Sequence, residues 1–176
     1  MKYRLTTNTK VVRGVTLCQI QALKDFGDVE KGDLGGWIEK EYNLSQEGNS
    51  WVYGYAQVSG YARVSEYAWV SGYAWVSGNA QVSGNARVSG NAWVSENAWV
   101  YGYALVSENA QVSGNARVSG NAWVSGNAWV SRNALDKEYP APKEQPDFSY
   151  LPDSVSEIVL NGIRYKKESK IVWTQI

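Results

Sequence analysis

At 176 residues the chain has the length of one ordinary domain, about 100 to 200 residues, which leaves little room for two independent cores. Hydrophobic residues make up 44% and charged residues 19%, and 17 Lys and Arg cancel 17 Asp and Glu, which argues against a disordered polyelectrolyte and a basic nucleic-acid binder. The sequence has no His, the commonest general base and metal ligand, and its single Cys18 cannot close an internal disulfide, so no catalytic residue, cofactor or metal site is expected.

Residues 1–37 alternate in short bursts around the turn signal Arg13-Gly14, which predicts a small N-terminal β-hairpin cap with Cys18 half-buried on a strand. No apolar run approaches the length of a membrane-spanning helix, and no signal-peptide pattern opens the chain. The expected setting is therefore soluble and cytoplasmic, with no membrane and no nucleic-acid partner.

From residue 38 to 135 the chain is dominated by a six-residue unit, purest in VSGNAQ VSGNAR VSGNAW. Val recurs at every sixth position from Val52 to Val130 without a substitution, and Ala from Ala56 to Ala134 follows each Val by four residues. Ile38 and Leu44 extend the series backwards to sixteen units if Gln46 and Glu47 form a two-residue corner insertion. A strict period of six with Gly in most units cannot build a helical stripe, because Gly and Val both lower helix propensity. Short strands joined by turns can, since Ala and Val stand two apart and share one side of a strand while Gly-Asn turns the chain. Three units close one triangular coil, and stacked triangles make an all-β parallel β-solenoid. The corner Glu66-Tyr67 alone in the pure repeat lacks both Gly and Asn, so it is expected to be the one corner that forces an ordinary residue to positive φ.

After Ala134 the sequence turns charged and Pro-rich, predicting a linker over 136–152. In the tail, 153–176, Asn161-Gly162 between two alternating runs signals a hairpin, and KIVWTQI offers a third strand. Only seven of the 34 charged side chains fall within 51–135, so the flanks carry most of the solubilising charge.

Inside the repeat only the position before each Val varies in chemistry, and it points outward. Folding the column by three units sorts it onto three faces: Trp51, Trp69, Arg87, Leu105 and Trp123 on the first; Trp37, Gln57, Trp75, Trp93, Gln111 and Trp129 on the second; Arg63, Gln81, Trp99, Arg117 and Leu135 on the third. Trp51, Tyr55, Trp69, Tyr73, Trp75 and Trp93 are expected to form one contiguous exposed surface, larger than monomers usually leave uncovered. Three uses remain open for these rings: stacking between coils with Arg87 over Trp69 and Arg117 over Trp99, burial against another subunit or the tail, or contact with an external protein or ligand.

The unit V-S-G-N-A-X resembles the hexapeptide repeat of the left-handed β-helix family, and IQALKDFGDVEKGDLGGWIEKEYNLSQEGN, residues 20–49, resembles the opening of transferase-like hexapeptide-repeat proteins of bacteria and prophages. The resemblance implies a left-handed triangular β-helix and, in the family's enzymes, a His acting as general base in acyl transfer from a thioester cofactor; no His here can take that role. The expected function is a non-enzymatic, oligomeric binding or scaffold protein, a dimer or trimer. Its candidate interface residues are Trp51, Tyr55, Trp69, Tyr73, Trp75, Trp93, Trp123 and Trp129, and Arg63, Gln81, Trp99 and Arg117 form a candidate mixed-face partner site. The alternative implied by the prophage resemblance is an accessory protein that binds a protein or small molecule of a host. An acyltransferase is the remaining class.

Overall fold

The computed structural model describes residues 1–132 and, as backbone, three C-terminal strands, Glu157–Leu160, Ile163–Ser169 and Val172–Gln175. The chain divides into two units, Met1–Ala134 and Leu135–Ile176. The expected linker over 136–152 and the outward position at Leu135 lie outside the described residues. In the second unit the three strands pair antiparallel in chain order, with Leu160 opposite Ile163.

The first unit is a parallel β-solenoid. Each repeat contributes a strand of two residues, or four at Gln111–Gly114 and Trp129–Arg132, and strands three repeats apart pair in register on three faces. Trp51, Trp69, Arg87, Leu105 and Trp123 head one sheet, Arg63, Gln81, Trp99 and Arg117 a second, and Gln57, Trp75, Trp93, Gln111 and Trp129 a third, so five coils stack on the first face. Val and Ala point inward: from Val52 to Val112 the Val column is fully buried, as is the Ala column from Ala56 to Ala110. The backbone is bonded from coil to coil, as in Trp51 N–H to the Ala68 carbonyl at 3.1 Å and Tyr53 N–H to Val70 at 2.8 Å, and even the corner Tyr61 N–H reaches the Gly78 carbonyl at 2.8 Å. Such a rod satisfies its polar backbone groups without long strands.

Ile38 pairs with Val58 and Leu44 with Val64, and both separations exceed three repeats by the two inserted positions, which places the insertion between Leu44 and Val52. The inserted Gln46 does more than lengthen a corner. Its side-chain carbonyl accepts the backbone N–H of Lys2 at 2.7 Å and its amide donates to the Tyr3 carbonyl at 3.3 Å, so it pairs with the start of the chain as a strand would.

That start belongs to a hairpin of β1 (Tyr3–Val12) and β2 (Val15–Ala22), which turns at Arg13 and Gly14, both at positive φ. β2 pairs antiparallel with β3 (Leu34–Ile38), whose last residues, Trp37 and Ile38, join the third sheet beside Gln57 and Val58. The hairpin thus continues a solenoid face and covers the first coil. Leu17, Ile20 and Ala22 of β2 are all buried, a break in strict alternation that goes with a register shift between Gln19 and Gln21.

The corners correct one expectation. From Gly54 to Gly126 positive φ falls on the first residue of every corner, and Glu66, Glu96 and Glu108 adopt it at 60°, 58° and 59°, so Glu66 is not alone. The Asn after Glu96 or Glu108 relieves nothing, because it is the second corner residue. Glu66 has compensation, since its carboxylate accepts the Gly84 N–H at 2.8 Å. Glu96→Gly and Glu108→Gly are each expected to raise stability by about 1 kcal/mol, a gain of about 2 to 4 °C in melting temperature, by removing left-handed strain. Glu66→Gly should gain less, because it also gives up that hydrogen bond; thermal melts of the three variants check the ranking.

Candidate binding surface

The outward column builds three different environments from one repeat position. On the first face Trp51 is 1% exposed, which corrects its expected place in an exposed patch. The cap buries it: Tyr3 meets the indole edge-on at 6.0 Å and Phe26 at 5.3 Å. One coil further, Trp69 is half-buried beside Tyr53 at 5.4 Å and beneath the Arg87 guanidinium at 4.9 Å. At the far coil Trp123 is 67% exposed.

On the Trp37 face the hairpin supplies cations. Lys10 lies over Trp37 at 4.4 Å, and Arg13, from the hairpin tip, lies over Trp75 at 4.3 Å and Trp93 at 4.7 Å. These two indoles stack at 5.3 Å, 14° from parallel. Gln111 follows, and Trp129 beyond it is 73% exposed. On the third face Arg63 and Gln81 are exposed and paired in register, and Arg117 lies 5.0 Å over the exposed Trp99. At the corner between the first two faces Tyr55 and Tyr73 stack at 5.1 Å, 4° from parallel, and both are more than half exposed. The expected single aromatic patch is therefore divided: Trp51 is in the core, Trp75 and Trp93 lie under Arg13, and the Tyr55-Tyr73 pair and the far tryptophans face solvent.

Sequence reasoning foresaw Arg87 on Trp69 and Arg117 on Trp99, because the members of both pairs are three repeats apart. It missed Arg13 and Lys10, whose partners depend on where the hairpin lies. It also missed the serines. The indole N–H of Trp75 donates to Ser59 Oγ at 3.2 Å, Trp123 to Ser107 at 3.4 Å and Trp129 to Ser113 at 3.3 Å, each serine lying on the preceding coil just past its Val. The recurrent Ser after Val was the available signal. Trp93 Nε1 is buried without such a partner. The corner of Tyr55 and Tyr73 continues as Asn91, which donates to Asn109 on the next coil at 3.1 Å, and at the following corner Asn79 donates to Asn97 at 3.0 Å.

Among the described residues no group of three His, Cys, Asp or Glu is placed to hold a metal ion, and no helix is long and apolar enough to cross a membrane. Perturbed titration is concentrated in the cap. Lys2 is buried, donates to the Ser50 carbonyl at 2.8 Å and lies over the Phe26 ring; burial, then Lys24, pull its pKa down to about 8. Tyr3, whose hydroxyl lies 2.6 Å from the Glu41 carbonyl and 2.8 Å from that of Leu44, is raised by burial and by Glu41.

Their pH effects have opposite signs. Between about 8 and the ordinary lysine value near 10.5, the unfolded chain holds a proton that folded Lys2 has released, so stability rises with pH in that window, by something on the order of 2 kcal/mol after solvent screening. Tyr3 favours folding below its ordinary value near 10, and that contribution is lost as pH climbs further. Melting temperature should therefore peak near pH 10, and Lys2→Met should flatten the rise from pH 8 to 10.

The model of the YdcK β-solenoid repeat matches residues 56–72, 80–96 and 110–126. The chain is similar to an uncharacterized acetyltransferase, YdcK, of Escherichia coli (strain K12), 43% identical over 60 residues that cover 30% of this chain and 18% of that protein. The chain thus spans less than a fifth of that relative's length. Both matches agree with the hexapeptide-repeat resemblance read from the sequence.

Proposed function

We propose that this solenoid is a non-catalytic binding and scaffold element that associates, with a second copy or another protein, through its solvent-facing aromatic residues. The observation that carries the reading is the contrast along single columns: Trp51 is sealed by the cap and Trp75 and Trp93 lie under Arg13, whereas Trp123 and Trp129 at the far coils are 67% and 73% exposed. Large aromatic side chains left bare on adjoining faces are the kind of residue that anchors interfaces. A reducing cytoplasm suits the lone half-buried Cys18. The wild type is expected to exceed monomer mass by light scattering, and Trp123→Ser with Trp129→Ser to return it to monomer with the solenoid's circular dichroism retained. Arg63→Ser with Gln81→Ser should leave the mass unchanged. A monomeric wild type would defeat self-association.

Acetyl transfer, named in the description of the E. coli relative, is the second reading. It lacks the imidazole base that hexapeptide acyltransferases use, because the sequence contains no His. Calorimetry with acetyl-coenzyme A separates the two: no saturable heat is expected, and tight binding with turnover would establish the enzyme.

A further inference from the structure

The tryptophan ladder of the Trp37 face is interrupted at one rung. Trp93 pairs with Gln111 on the next coil and Gln111 with Trp129 on the one after, so two indoles stand two rungs apart with a narrow amide between them. Trp75 and Trp93, one rung apart, stack nearly parallel at 5.3 Å, which is the spacing this face gives to flat groups. A flat group entering at the Gln111 rung would therefore meet a ring on each side. Ser95, Glu96, Gln111 and Ser113 complete a groove of about 200 Å³ between Trp93 and Trp129. The bond to Ser113 ties the Trp129 indole to the Gln111 coil, which fixes the ring as the far wall of the groove.

The groove has the chemistry of a cation site. Glu96 on its wall forms no ion pair among the described residues, where Lys40 and Glu39 are the pair present. Trp93 itself and three other tryptophans of the solenoid already carry guanidinium groups: Arg13 over Trp75 at 4.3 Å and Trp93 at 4.7 Å, Arg87 over Trp69 at 4.9 Å and Arg117 over Trp99 at 5.0 Å. A guanidinium is flat, weakly hydrated, stacks on indole faces and presents its N–H edge to a carboxylate, whereas a lysine ammonium is a compact, strongly hydrated point charge with no face to stack. We propose that the Trp93–Trp129 groove captures an arginine side chain of a protein partner, with the guanidinium between the rings and its N–H edge toward Glu96. This rests on the binding reading above and names the chemistry that the partner must present.

The test titrates N-acetyl-arginine amide into the full chain and follows the indole N–H resonances. Saturable shifts at Trp93 and Trp129 in the millimolar range are expected, with N-acetyl-lysine amide weaker by about fivefold or more. Gln111→Trp should fold, because indoles one rung apart already stack on this face, and should abolish the shifts by filling the rung. Glu96→Gln should weaken binding by about fivefold while the rings remain. Equal binding of the lysine amide, undiminished binding by Gln111→Trp, or no saturable shift at any soluble concentration would each overturn the site. If arginine shifts saturate while the wild type runs as a monomer, self-association alone falls.

Discussion

Trp51→Ala is expected to cost about 3 to 5 kcal/mol and to lower the melting temperature by about 10 °C or more, the largest loss from any single side chain in the solenoid. The reason is its place. Trp51 is the largest fully buried side chain, held between Tyr3, Phe26 and the first coil, and its removal leaves a void that neither the cap nor the coil can collapse into without breaking backbone pairing. Trp123, two-thirds exposed in the same column, is the internal control: Trp123→Ala should shift stability by less than about 1 kcal/mol. Denaturant unfolding of the two variants checks the contrast. Equal effects would mean that the cap does not seal Trp51.

Gly36→Ala is the second large effect, expected at about 2 to 4 kcal/mol. An added Cβ at Gly36 would stand 2.7 Å from both the Ala56 carbonyl oxygen and Val52 Cγ1, and at neighbouring Gly35 it would meet Ile20, Trp51 and the Val52 carbonyl at 2.6 to 2.7 Å. Two of these neighbours are backbone atoms of the first coils, so relief requires moving β3, the strand that joins hairpin and solenoid. Gly14→Ala separates crowding from backbone conformation. Gly14 has φ of 79° with open space around it, so only its left-handed conformation opposes the substitution, at about 1 kcal/mol. Urea midpoints of Gly36→Ala and Gly14→Ala should differ in that order.

The legible part of this protein follows from period. Val at every sixth position and Ala four after it leave one inward stripe, one turn per unit and a closure every three units, and local preferences with that stripe are enough to specify stacked parallel strands. The three faces, the pairing of Trp93 with Trp75 and of Arg87 with Trp69, and the two-residue insertion were all countable, because in a solenoid a contact between coils is a fixed separation along the chain. The hairpin at Arg13-Gly14 was legible for a similar reason, since a tight turn is specified by its own two residues.

What the period could not supply is the exposure of each outward residue. Trp51, Trp69 and Trp123 occupy equivalent positions in one column, yet one is core, one is half covered and one is bare. The two ends of that range are set by residues with no fixed spacing to the repeat: Tyr3 and Phe26 from the cap cover Trp51, as Arg13 from the hairpin tip covers Trp75 and Trp93 on the neighbouring face, and nothing comparable among the described residues reaches Trp123. Their contacts cross long and unequal stretches of sequence and arise when a non-repetitive segment docks on a repetitive one. The same holds for the strained corners, where the sequence shows which residues make the turn and only the folded backbone assigns positive φ to the first of them, placing Glu66, Glu96 and Glu108 alike in the left-handed region. Periodic local chemistry thus determined the rod, and long-range docking of the aperiodic end decided which of its aromatic residues belong to the core and which stay exposed.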